Sequence, residues 1–281
     1  MRKTLFLFSI LFVLGAGLAQ ESKENSGPWT KNGHFGFLFT QSAFDNWIQG
    51  GEDALSAQLK FDYNLLYKQG KNDWTTKILA FYGMTQMKDV AKKTDDAFEI
   101  NSIYGRKIND LWNYTFFGNF KTQFTPGYDY SMPEKVKISN AFAPAFLALG
   151  PGISYKKSDN FYVNYAPVTS KFVIVTDPDL NAIGAFGVEP GKSLRYEFGS
   201  NMQVYFKVPL MQNVELENMT NLFSNYLDKP QNVDVDNLTT LRMKINKYLS
   251  AVLTVHGIYD DNTLKALQLS EVFGLEFGLD I

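Results

Sequence analysis

The chain has 281 residues, with 27 Lys plus Arg against 29 Asp plus Glu, a formal net charge of −2, two His and no Cys. That charge leaves no electrostatic footprint for nucleic acid, and the missing cysteines exclude disulfides, thiolate nucleophiles and cysteine-ligated metals together. Phe, Tyr and Trp supply 15% of the residues, and their spacing decides the fold class.

Arg2 and Lys3 precede the apolar stretch Leu5 to Leu14, and Gly17, Leu18 and Ala19 follow it. This is the layout of a secretory signal peptide over residues 1–19, leaving a mature chain that starts near Gln20. The stretch is shorter than the ~20 residues a spanning helix needs. With no Cys after the cut, lipoprotein processing is excluded. Residues 20–32 read as a polar tail and 33–281 as one barrel domain.

From there the chain alternates. Strands are predicted over Gly33 to Gln41, Ala54 to Lys68, Trp74 to Met87, Ala97 to Ile108, Leu111 to Thr125 and Ala141 to Lys156. Further strands follow over Asn160 to Thr176, Ser193 to Val208, Met211 to Tyr226, Asp234 to Asn246, Leu249 to Asp260 and Gln268 to Ile281. The fifth shows the pattern best. Trp112, Tyr114, Phe116, Gly118, Phe120 and Phe124 share one parity, and Asn113, Thr115, Asn119, Lys121 and Gln123 the other. Period two with unlike faces is a strand, and lengths beyond the roughly nine to eleven residues that cross a bilayer suit a transmembrane barrel. The third, sixth and seventh alternate poorly, and Pro144, Pro151 and Pro167 predict bulges or interruptions.

The connections fall into two classes. Gln69 to Asp73, Asn109 to Asp110, Lys157 to Asp159, Pro209 to Gln212 and Lys247 to Tyr248 are short. Ser42 to Asp53, Lys88 to Asp96, Pro126 to Asn140, Asp177 to Lys192, Leu227 to Val233 and Asp261 to Leu267 are longer. Short periplasmic turns and longer outer loops are the habit of bacterial barrels. The expected fold is therefore all-β: a transmembrane antiparallel up-and-down barrel of about twelve strands in the outer membrane, with both termini periplasmic. A secreted β-sandwich or lipocalin-like cup is the alternative, and it leaves the aromatic crowding on one parity unexplained. The closing residues Leu275, Phe277, Leu279 and Ile281 resemble the signal by which the barrel insertion machinery recognises outer-membrane barrels, although that signal commonly ends in an aromatic residue. Outer-membrane lipid and that machinery are the expected partners, with envelope proteins as further candidates and no nucleic acid.

Hydrolase patterns are missing around His34 and His256. Neither lies in a His-Glu-x-x-His zinc pattern or beside a Gly-x-Ser-x-Gly elbow, and two residues onward stand Gly36 and Ile258 in place of Ser. No metal, cofactor or catalytic residue is predicted. The inward parity is charged instead: Lys60, Asp62, Lys121, Arg195, Glu197, Lys207, Glu215, Glu217, Arg242 and Lys244 are the lumen-lining candidates. They allow two readings, a salt-bridged filling or a passage whose charges set selectivity.

Asn46, Trp47, Gly50 and Gly51, within Phe44-Asp-Asn-Trp-Ile-Gln-Gly-Gly51, precede a long amphipathic strand. This segment resembles the Asn-Trp-x-x-Gly-Gly signature of a Bacteroidetes family of outer-membrane barrels of unknown function. The resemblance implies a location and a fold and brings no activity. Gly50 and Gly51 permit positive φ or close backbone approach, and a tight turn anchored by Trp47 is favoured over a ligand contact. Three function classes follow in order: a narrow transporter or channel, a structural or partner-binding barrel of an envelope complex, and last an enzyme.

Overall fold

The computed structural model describes residues 27–43, 53–87, 90–130 and 134–281. The predicted signal peptide, most of the predicted polar tail and the Asn46, Trp47, Gly50 and Gly51 segment lie outside the described residues. In chain order the strands are β1 (Trp29–Ser42), β2 (Ala54–Gln69), β3 (Asn72–Met87), β4 (Val90–Lys107), β5 (Trp112–Thr122), β6 (Gly127–Asp129) and β7 (Val136–Ser139). They continue as β8 (Ala145–Ser158), β9 (Phe161–Ile174), β10 (Leu194–Met211), β11 (Val214–Asn225), β12 (Val233–Lys244), β13 (Leu249–Asp260) and β14 (Leu264–Asp280). All but β6 and β7 join one closed antiparallel barrel in sequence order, and β6 and β7 pair as a separate ribbon. β1 meets β14 from His34 opposite Asp280 to Phe39 opposite Leu275. Gly33 N–H donates to Ile281 O at 2.6 Å, so both ends of the barrel chain lie at the short-turn rim.

Alternation sorts the side chains. On β5, Trp112, Tyr114 and Phe116 are exposed outside while Asn113, Thr115 and Phe117 are buried inside. Aromatic rings run round the outer wall at the short-turn end, with Trp29 4.9 Å from Tyr67 and 6.0 Å from Trp74, and Trp112 5.4 Å from Tyr155. The outward positions on β1 run from Trp29 to Phe39 and are non-polar except for Lys31. At about 3.3 Å per residue and a tilt of roughly 40°, that span covers about 25 Å of height, the thickness of a barrel's apolar band. A closed barrel with such a band has the architecture of a transmembrane barrel, since closure pairs the backbone groups that hydrocarbon cannot solvate.

The predicted strands match the twelve in the wall, with instructive differences at their ends. β1 begins at Trp29, before the expected Gly33. Much of the connection expected over Lys88 to Asp96 is strand: β3 and β4 stay paired until Met87 faces Val90, with a register shift beside Gly83 and Met84. Lys92, Lys93, Thr94, Asp95 and Asp96 are polar on both faces, so no alternation marks them as strand. The loop expected over Asp261 to Leu267 is also short, because Asp260 accepts from the Asn262 amide at 2.9 Å and from Thr263 Oγ1 at 3.2 Å, and β14 starts at Leu264.

The irregular strands have local causes. β3 turns Leu79 and Phe81 inward. β9 bulges at Pro167 and Val168, between the pairs Gly199 with Thr169 and Asn201 with Ala166. Gly150 opposite it is obligatory, since a Cβ there would lie 2.1 Å from Val168 O. β8 begins only after Pro144, at Ala145. Gly70, with φ 59°, takes the left-handed conformation that the two-residue turn between β2 and β3 requires.

Candidate functional site: the strutted lumen and its cavity

The inward faces bring charges from distant strands into contact. At the short-turn mouth Lys156 Nζ donates to Asp73 Oδ1 at 2.8 Å, and Lys68 reaches Asp159 at 2.7 Å. Lys207 pairs with Glu215 at 3.0 Å at the same end, where Lys244 closes β12 exposed. At the β1 and β14 closure, Glu276 is engaged by Arg242 and, at 2.9 Å, by His34 Nε2; His34 Nδ1 meets Asp280 at 2.7 Å.

Half-way up, Lys77 Nζ donates to Asp62 at 3.0 Å and to Glu217 at 2.5 Å. β3 and β11 stand six strands apart in either direction round the ring, so this pair spans the full diameter. Tyr205 Oη donates to Glu217 at 3.1 Å and its ring lies 5.2 Å from that of Tyr162. Beside them Ile103, Phe117, Ala166 and Met219 complete an apolar cluster inside the barrel. Lys60, also buried, places its ammonium 5.3 Å from the Phe81 ring.

A third tier sits toward the long loops. Lys121 on β5 pairs with Asp236 on β12, and Asp236 Oδ1 meets His256 Nε2 at 2.8 Å. Arg195 donates to Glu197 at 2.9 Å, and Lys171 bridges Glu197 at 3.0 Å and Asp234 at 2.7 Å. Between this tier and the long loops lies a cavity of ≈ 300 Å³, floored by Phe81 and Met219 and roofed on one side by Tyr128 and Ile138 of the β6 and β7 ribbon. Lys93, Asp95, Asp96 and Glu99 line it, and so does Ser270, the cross-strand partner of His256.

The two longest loops hold each other. Asp177 caps the short helix α1 (Pro178–Ala182) by accepting from the Asp179 and Leu180 amides, and also accepts from Lys137 Nζ and Asn140 Nδ2, both at 2.8 Å. The Lys137 ammonium pulls the Asp177 carboxyl down to about 2 against a small opposing effect of burial. Ala143, Val175, Leu180 and Val188 pack beneath, joined by Ala185 and Phe186.

All ten predicted lumen charges sit on inward-facing positions, but few pair with one another: Lys207 with Glu215, Arg195 with Glu197, and Asp62 with Glu217 through Lys77. Lys77, Asp236, Glu276 and Lys171 supply partners to others of the ten, and Lys156 pairs with Asp73 apart from them; none of these five was a candidate. Asp236 and Glu276 stand on the wet parity of predicted strands, a signal that was available. Lys77 was hidden by Leu79 and Phe81 on the same face. Phe117, Tyr162 and Tyr205 were missed because aromatics were assigned to lipid.

Residues 39–128 match the profile of a family described as a protein of unknown function (DUF3078), a span that includes the Asn46 to Gly51 segment. No curated protein matches. Among solved structures, the NanC porin is 10% identical, covering 88% of this chain and 98% of its own at a TM-score of 0.37. The COG4313 outer membrane channel from Pseudomonas putida F1 is 8% identical over 92% and 96%, TM-score 0.38. The Salmonella typhi outer membrane phospholipase dimer with bound calcium is 14% identical over 92% and 94%, TM-score 0.37. Channels and an enzyme stand side by side in this set, and at these values none lends its activity to this chain.

Proposed function

We propose that this protein is an outer-membrane barrel of the Bacteroidetes family named above, whose lumen is braced shut and whose long-loop side forms a binding cup. It would work as a receptor or partner-binding element of the envelope, with lipid round its apolar band, the short-turn rim periplasmic, and the insertion machinery as its route into the membrane. The diametric Lys77 to Glu217 contact carries this reading, because it lies across the line that any solute must follow. Separating the two would leave opposite charges unpaired in a largely enclosed interior, which opposes opening.

Single-channel recording of the purified, heat-modifiable protein in planar bilayers tests this. A silent bilayer under folded protein is expected; stepwise conductance in the wild type would overturn the closed-lumen reading. Transport is the second reading, favoured by the density of charge along the inward faces. It requires Lys77 to release Glu217, and its signature is conductance that appears only above a threshold voltage.

A further inference from the structure

We propose that the lumen cavity binds a small organic cation carrying one or more ammonium groups. The inference rests on the cup being a binding site and assigns the chemistry of what enters it. Four carboxylates line the ≈ 300 Å³ space, Asp95, Asp96, Glu99 and Asp236, against two ammonium groups, Lys93 and Lys121. Both ammoniums are engaged: Lys93 with Asp96 at 2.8 Å and with Thr125 O at 2.8 Å, Lys121 with Asp236. His256, the remaining basic group on the wall, is bonded to Asp236 as well.

Asp95 and Glu99 make no ion pair among the described residues, and Lys121 and His256 act on them only from a distance. Among the described residues their side-chain donors are neutral amides, Gln58 Nε2 at 2.6 Å on Asp95 and Asn119 Nδ2 at 2.7 Å on Glu99. A carboxylate inside a low-dielectric wall needs an opposite charge or a protonated state, and a cationic ligand supplies the former. Beneath the floor, Asn101 is 4% exposed and its Nδ2 donates to Met219 Sδ at 3.4 Å, while its Oδ1 has no hydrogen-bond partner among the described residues. The aliphatic and aromatic part of the lining, Phe81, Met219 and Tyr128, suits the carbon body of an amine and the positive charge beside it. Asp95 and Glu99 lie four residues apart on one inward face, about 13 Å along the strand, so a linear diamine matches the site better than a compact one. An anion would meet the surplus carboxylates while finding both lysines taken.

The test compares three probes of equal chain length on the detergent-folded full barrel by titration calorimetry: 1,6-diaminohexane, 1,6-hexanediol and adipate. The diamine should bind saturably, at least tenfold tighter than the other two, and its affinity should fall as salt rises. Glu99→Gln and, separately, Asp95→Asn should each weaken it about tenfold with heat-modifiable migration retained. Equal binding of adipate, absence of diamine binding to the wild type, or a diamine affinity indifferent to both substitutions would each overturn the proposal. If either variant fails to fold, the wild-type ranking of the three probes decides alone. A silent barrel that ignores the diamine refutes this inference and leaves the closed receptor standing, whereas a conducting barrel that binds it does the reverse.

Discussion

At the residue scale the charges of this protein work in threes more than in pairs. Lys77 holds Asp62 and Glu217, Lys171 holds Glu197 and Asp234, and Asp236 is shared by Lys121 and His256. Each keeps a buried charge from standing alone, which is the condition for tolerating it inside a narrow barrel. Outside the membrane the same logic latches the loops through Asp177. Its folded value of about 2 lies below the ordinary 3.8, so its contribution is complete above that ordinary value and is lost as pH falls through the folded one. The Leu180 amide resonance should therefore titrate with a midpoint near 2, and Asp177→Asn should abolish the titration. A midpoint at the ordinary carboxylate value would mean that Lys137 does not engage Asp177 in solution.

At the scale of the elements, β11 and β12 carry an arrangement that lipid would ordinarily forbid. Asn218, Thr220, Asn237 and Thr239 point outward, since their neighbours Glu217, Met219 and Asp236 point in. The four close a ring: Asn218 donates to Thr239 at 2.8 Å, Thr239 to Asn237 at 3.0 Å, Asn237 to Thr220 at 2.7 Å and Thr220 to Asn218 at 2.9 Å. Each amide and hydroxyl satisfies its neighbour, so the patch presents little unmet polarity to hydrocarbon. Asn218→Leu should cost about 1 to 2 kcal/mol in urea unfolding from lipid vesicles, because Thr220 and Thr239 each lose a partner. Replacing all four by Leu and Val should restore most of that loss, and an unchanged midpoint in the single variant would show that the ring contributes nothing.

At the scale of the whole molecule, the short-turn rim with its aromatic rings and the long-loop rim with its latched cap are unlike ends, so the two orientations in a membrane are distinguishable. The long loops at the cell exterior is the expectation, and the chain has no thiol to interfere with labelling. Lys135→Cys and Glu189→Cys should react with an impermeant maleimide on intact cells, while Lys71→Cys in the tight β2 to β3 turn should react only after lysis. The reverse pattern would place the cup in the periplasm and remove the receptor reading with it.

The strand inventory and the facing of each strand were legible in the amino-acid order alone, because a lipid exterior and a polar interior impose opposite demands on adjacent residues. Trp112 to Phe120 show it directly. The signal weakened wherever that demand ceased. Lys92 to Asp96 and Leu264 to Leu267 form strand without a contrast between faces, and β3 and β9 break alternation where Leu79 and Phe81 turn inward and Pro167 bulges. Which charges meet was beyond the sequence. Lys77 and Glu217 are 140 positions apart, Lys121 and Asp236 115, and only barrel closure and stagger bring them together. The sequence by itself determined a charged interior, since parity needs no partner to be read. Which of those charges meet across the ring was set only in three dimensions, because the distance across a ring depends on strand number and tilt, which no local pattern encodes.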